Sequence, residues 1–284
     1  METIISKAER EKLLKNLIIP PRPVVLDSLL ALRDDPDINL QKIGAVLETD
    51  MALSVAVLKA ANSPLVTRTR AIASVQQAIS LLGSKNVINL ISGLVVRTHL
   101  TGSAPPSIEI YWERAMMVAQ ICKALCDQIG RTPDDCASYA LFHSCGIALM
   151  LMRYKNYERT LQLIEMASDE RVTRIEQELH GTSHDIVGYL VGKAWNMPEH
   201  FCQCILRQFD PAVFDPATEM EIDHDGRLSI AITRAATNVA RTLMPGNTDP
   251  GWDERQEQVL RMLGIGADEF EDWRDHMHQR LTQS

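Results

Sequence analysis

The fold is decided by the stretch Asp50-Met51-Ala52-Leu53-Ser54-Val55-Ala56-Val57-Leu58-Lys59-Ala60-Ala61-Asn62-Ser63-Pro64. Leu53, Val57, Leu58 and Ala61 fall on one face of a helix, at the four-and-three spacing that a buried stripe requires. Asp50 supplies a helix start. The run stops at Asn62-Ser63-Pro64, because proline cannot continue a helix and disfavours a helical residue before it. Just upstream, Ile38, Leu40, Ile43, Val46 and Leu47 make a second stripe within Ile38 to Glu48. Just downstream, Ser74-Val75-Gln76-Gln77 is a capping box before Ala78-Ile79-Ser80-Leu81-Leu82, and Gly83 supplies the stop. Ser84 opens a further helix from Lys85 to about His99.

The same grammar continues beyond the clearest linker of the chain, Thr101-Gly102-Ser103-Ala104-Pro105-Pro106-Ser107, where a subdomain seam is expected. A long helix is expected from about Ile108 to Ile129, ended by Gly130. Thr132-Pro133-Asp134-Asp135 starts a helix reaching about Ala140, with a capping hydroxyl, an early proline and two acids at the positive end of the dipole. Leu141 to Met152 is apolar all round and reads as one central buried helix. Thr173-Arg174-Ile175-Glu176 reads as a capping box. Thr182 or Ser183 caps a helix to Trp195. Pro198 to about Phe209 and Leu228 to about Leu243 give two more, separated by an acidic loop, Asp210 to Gly226. Trp252 to Leu263 and Ala267 to Leu281 complete the series. No segment alternates apolar and polar residues well enough to build a sheet, so the fold class is all-α, with about a dozen helices of ordinary length.

Composition narrows the function classes. The chain has 284 residues, 45% hydrophobic and 23% charged, which excludes a disordered chain and supports a sizeable core without staples. The net charge of −8 is uneven: residues 1–110 carry 12 Lys+Arg against 10 Asp+Glu, whereas 246–284 carry 4 against 9. No basic stripe of the kind that grips duplex nucleic acid is visible, so broad nucleic-acid binding is not expected. The six cysteines form no C-x-x-C pair and sit mostly among apolar neighbours, as in a reduced, cytoplasmic protein. The start Met1-Glu2-Thr3-Ile4-Ile5-Ser6-Lys7 lacks a signal peptide's pattern, and the most apolar window, Ala140 to Met152, is too short to span a bilayer. Trp252, Phe270 and Trp273, on otherwise polar helices, are expected to dock on the protein's own core.

Among residues that carry chemistry, His143 stands out in Leu141-Phe142-His143-Ser144-Cys145-Gly146, since a histidine on a buried helix needs a partner for each ring nitrogen. The bland reading is a satisfied core histidine. No nucleophile elbow, phosphate loop, dinucleotide fingerprint or H-E-x-x-H is present.

From about Leu17 to Leu243 the chain resembles the HDOD domains, divergent relatives of the HD-superfamily metal-dependent phosphohydrolases. The resemblance is carried by Ile19-Pro20-Pro21-Arg22-Pro23; by Asp50 with Asn62-Ser63-Pro64; by Ala78 to Gly83; by Tyr111-Trp112; by Phe142 to Gly146; and by His180-Gly181-Thr182-Ser183-His184 with Gly188, Trp195 and Pro198. It implies an HDOD domain over 12–210, divided into an N-terminal helical subdomain (12–104) packed on an HD-like subdomain (107–210), with an acidic loop and C-terminal helical extension over 211–284. Asp50, Asn62, Ser63, Pro64, Gly83, Trp112, Gly146, Gly188, Trp195 and Pro198 are the structural positions of the motif.

In the related enzymes a His-Asp pair and further histidines hold a metal that activates water against a phosphate ester. This chain departs from that pattern. His143 keeps the histidine, but Ser144 stands in the aspartate position, Arg114 where a histidine is common, and Arg207-Gln208 where a His-His pair is common. An arginine has no lone pair and repels a cation. His184 survives. The resemblance therefore implies a remnant cleft at Arg114, His143, Ser144, His184, Arg207 and Gln208, with no catalytic residue, no metal and no cofactor. It implies a non-catalytic adaptor in bacterial signal transduction, working in trans through contacts with signalling proteins, with links to cyclic-di-GMP, motility, biofilm or stress control. Homo-oligomerisation stays open. The alternatives are a residual HD-type phosphohydrolase, or a sensor of a small anionic ligand such as a nucleotide.

Overall fold

The computed structural model describes residues 19, 21, 24–33, 35, 38–47, 51–62, 72–84, 87–88, 91–92, 95, 106–133, 136–215, 217–218, 220–244 and 247–282. Every regular element among them is helical. The N-terminal part consists of α1 (Val24–Arg33), α2 (Leu40–Leu47), α3 (Met51–Ala61) and α4 (Val75–Leu82), followed by helical turns at 84, 87–88, 91–92 and 95. The stripes expected from sequence face inward: Leu26, Leu29, Ile43, Leu47, Val57, Ala61 and Ile79 are all buried. Ser74 caps α4 by accepting from the Gln77 amide at 3.2 Å, and Gly83 ends it at φ 83°, a conformation that favours glycine. Asn62 clasps the strand of chain that returns after α3. Its carboxamide accepts from the Ile72 amide at 2.7 Å and donates to the Ile72 carbonyl at 2.8 Å. Asp50, Ser63, Pro64 and linker residues 101–105 lie outside the described residues.

The second part begins with the long α5 (Pro106–Ile129). It continues through α6 (Cys136–Phe142), α7 (Cys145–Arg153), α8 (Tyr157–Glu165), α9 (Asp169–His180), α10 (His184–Ala194) and α11 (Glu199–Arg207). A 3₁₀ turn at Pro211–Phe214 leads to α12 (His224–Arg241), α13 (Pro250–Leu263) and α14 (Ala267–Thr282). One apolar cluster runs from α1–α4 through Trp112, Phe142, Trp195 and Phe201, so the two parts share a core. Trp195 and Phe201 each meet the Phe142 ring edge-on, an arrangement the ring quadrupoles favour. A second cluster joins α5 and α12 to α13 and α14 through Trp252, Phe270 and Trp273, so the terminal aromatics do dock on the protein's own core.

Three sequence expectations are corrected. Leu141 to Met152 is not one helix: α6 ends at Phe142, His143 and Ser144 form a turn, and α7 starts at Cys145. The His143 ring bonds back to the Ala140 carbonyl at 2.8 Å, and Ser144 leaves helical geometry at φ −114°, ψ 16°. Thr173 does not open a helix, because α9 already starts at Asp169. Glu176, read as a capping side chain, is instead fully buried. The acidic segment is also less of a loop than expected. Asp210 caps the 3₁₀ turn, accepting from the Ala212 amide at 3.0 Å, and Asp223 starts α12 early by accepting from the Gly226 amide at 2.8 Å.

Candidate functional site

The break between α6 and α7 positions the site. Gly146, in the first turn of α7, lies against the first turn of α10, so close that a Cβ there would stand 2.0 Å from the His184 carbonyl oxygen. This contact brings His143 and His184 to the same cavity, which measures about 480 Å³. That volume suits a small organic ligand, for which pockets of about 300–1,000 Å³ are usual. Arg114, His143, Ser144, His184 and Gln208 all line it. Arg207 does not. It turns away and pairs with Asp210 at 3.1 Å.

The two histidines are held differently. His143 donates from Nδ1 to the Ala140 carbonyl, and Gln208 donates to the His143 carbonyl at 2.8 Å. Burial lowers the His143 pKa to about 4, so its ring is neutral near pH 7. His184 donates from Nδ1 to Glu176 at 2.8 Å, and its backbone amide donates to the same carboxylate at 3.2 Å. Tyr157 donates its hydroxyl to Glu176 as well. Burial works against the His184 imidazolium, but the Glu176 carboxylate outweighs it and the pKa is raised. Burial likewise opposes the Glu176 anion, yet His184 and the hydrogen bonds lower its pKa. His180 does not reach the cavity. It pairs with Thr160 at 2.8 Å and packs on the Tyr154 and Tyr157 rings.

The far wall is one that the sequence reading missed. Thr233, Arg234, Thr237 and Arg241 project from α12. Arg234 is held between two carboxylates, donating from Nε to Asp169 at 3.0 Å and from both Nη atoms to Asp249 at 2.8 and 2.9 Å. Burial opposes the Asp249 anion, but Arg234 and Arg241 hold its pKa down at about 2. Arg241 donates from Nη1 to Asp249 at 3.1 Å. Arg255, from α13, donates to the Gln208 and Phe209 carbonyls at 3.0 and 2.9 Å, fastening the end of α11. At the solvent edge, Arg114 of α5 pairs with Glu165 of α8, both half-exposed. A signal for this wall was present. Arg234, Asn238 and Arg241 fall at i, i+4 and i+7 of a largely buried helix, and Glu176 takes an apolar place in the buried stripe of α9.

A hydrolytic metal does not fit these residues. Among the described residues no three His, Cys, Asp or Glu side chains converge as such an ion requires. Glu176 is committed to Tyr157 and His184, Asp169 to Arg234, and Asp185 to Ser183 and the Ile186 amide. Arg234 and Arg241 add fixed positive charge to the same wall.

The neutral state of His143 gives a pH test. A histidine whose folded pKa is depressed stabilises the fold above its unfolded pKa, near 6.5, and loses that contribution as pH falls toward about 4. Wild-type protein is expected to lose stability over this window relative to His143→Gln, as measured by chemical denaturation at each pH. Parallel pH profiles for the two proteins would contradict the assignment.

The architecture and the cavity define an all-helical protein, among the described residues, whose cavity is lined by histidine, arginine, serine and glutamine side chains. A family model for the HDOD domain matches residues 19–211, and the chain belongs to that family. A solved HDOD domain protein from Geobacter sulfurreducens is 19% identical, with a TM-score of 0.63 over 90% of this chain and 95% of its own. A Shewanella amazonensis structure with a phosphohydrolase name is 20% identical, with a TM-score of 0.63 over 93% of this chain and 95% of its own. A Marinobacter aquaeolei structure named for signal transduction is 21% identical, with a TM-score of 0.67 over 93% of this chain and 57% of its own. These likenesses establish the fold. A curated relative, an uncharacterized protein of Treponema pallidum, is 22% identical over 185 residues, and the match spans 36% of its length. No helix among the described residues is long and apolar enough to cross a membrane.

Proposed function

We propose that this protein is a non-catalytic regulatory module of bacterial signal transduction that acts in the cytoplasm through contacts with other proteins. The observation that carries this reading is the donor set of the cavity: Arg114, Ser144, Gln208 and Arg241 line it beside His143 and His184, and its carboxylates Glu165 and Asp169 are paired with arginines rather than gathered around a metal position. The signal-transduction name of one fold relative is consistent with it. The helices that wall the cavity also expose apolar side chains, including Ile110 at 64%, Met166 at 76% and Leu179 at 55%, beside α5, α8 and α9. Exposed apolar side chains of this kind suit protein contacts when they gather into patches. We further propose that residues 12–210 form the family unit, with 12–104 and 107–210 as its halves and 211–284 as an extension.

Two measurements test the reading. Affinity capture from native cells is expected to recover a signalling protein, with recovery reduced by Met166→Glu. Metal analysis of the purified protein is expected to find no stoichiometric Mn, Fe or Zn. A stoichiometric metal together with phosphodiesterase activity that His143→Ala abolishes would replace the adaptor with a residual phosphohydrolase.

A further inference from the structure

We propose that the cavity between α5, α8, α10 and α12 binds a small organic acid with an apolar body, its carboxylate on Arg241 and its carbon skeleton against the helix walls.

Arg241 supplies the charge. Its Nη1 is bound to Asp249, while its Nε and Nη2 have no partner among the described residues, and the side chain lines the cavity. Asp249 is itself shared among Arg234, Asn238 and Arg241, so it does not neutralise Arg241 alone. Arg241 is also close enough to His143 and His184 to disfavour a positive charge on either ring. An anion seated beside Arg241 gains charge-assisted hydrogen bonds from its Nε and Nη2.

The rest of the lining limits the ligand to about one negative charge. Arg234 is charge-balanced between Asp169 and Asp249, and Arg114 faces Glu165 at the solvent edge. Glu158 also lines the cavity, with no cation paired to it among the described residues, and repels a polyanion. A nucleoside polyphosphate or a cyclic dinucleotide therefore finds too few uncompensated cations to match its charge. Ile110, Val118, Leu161, Ile164 and Ile230 make much of the wall, which suits hydrocarbon or an aromatic ring. This inference does not rest on the adaptor reading. Partner capture and ligand titration are separate measurements, and either can fail alone.

The test uses full-length protein and three probes: naphthoate, the neutral naphthylmethanol of the same shape, and inorganic phosphate as the bare anion. Titration calorimetry is expected to show saturable binding of naphthoate, with naphthylmethanol and phosphate each weaker by about tenfold or more. Arg241→Gln is expected to weaken naphthoate by about tenfold or more, the range of one charge-assisted hydrogen bond. Leu161→Trp fills the cavity from a half-buried position on α8, leaves the Arg241 network untouched and is expected to abolish binding. Circular dichroism verifies that both variants are folded. The proposal is overturned if naphthoate does not saturate, if the alcohol or phosphate binds as tightly as the acid, or if folded Arg241→Gln or folded Leu161→Trp binds naphthoate as wild type does.

Discussion

Gly146→Ala is expected to destabilise the protein by about 3 kcal/mol or more, above the usual range for overpacking. An added Cβ would lie 2.0 Å from the His184 carbonyl oxygen and 2.8 Å from the Gly188 amide nitrogen. Both atoms are backbone, so no rotamer change relieves the contact, and α7 and α10 must separate. Their separation pulls His184 from Glu176, leaving a buried carboxylate short of a partner. Thermal unfolding is expected to move down by about 10 °C, given about 2–4 °C per kcal/mol for domains approaching this size. Gly44→Ala serves as the control. It lies inside α2, a Cβ there meets nothing within 4 Å, and alanine is the better helix former by about 1 kcal/mol. Equal melting of the two variants would refute the close-approach argument.

Ending the chain after residue 244 is expected to abolish cooperative folding. The cut removes Trp252, Val259, Leu260, Leu263, Phe270 and Met277, all buried against α5 and α12. Each large apolar side chain contributes about 1.5–3 kcal/mol when buried, and their sum competes with a whole-domain stability of about 5–15 kcal/mol. The cut also removes Asp249, leaving Arg234 and Arg241 facing one another with only Asp169 beside them. A dye that reports exposed apolar surface is expected to bind the shortened chain, and near-ultraviolet circular dichroism is expected to be lost. A sharp unfolding transition in the shortened chain would show the extension to be dispensable.

How far the sequence discloses this molecule differs by feature. Stripes such as Leu53-Val57-Leu58-Ala61 and stops such as Gly83 are local, so helix existence and inward faces are legible. The break at His143-Ser144 was not, because the surrounding residues are apolar throughout and the turn is stabilised by a ring-to-backbone bond that periodicity does not encode. Family resemblance brought five of the six expected cleft residues to one cavity. Arg207 failed to join because an acid three residues on, Asp210, gives it a nearer partner. Glu176 and Arg241 escaped notice for a different reason. Their meaning lies in partners from distant elements, and only the tertiary fold joins α9 to α10, or α12 to the residue before α13.

The Arg114–Glu165 pair at the solvent edge has a kinetic consequence. Both partners are half-exposed, and such pairs contribute about 0–1 kcal/mol. A latch that weak is open for a sizeable share of the time, and side chains of this kind exchange rotamers in about nanoseconds. The cavity is therefore in continuous communication with the surrounding solution. Its occupancy follows the concentration of whatever fits it, rather than waiting for a slow opening of the fold.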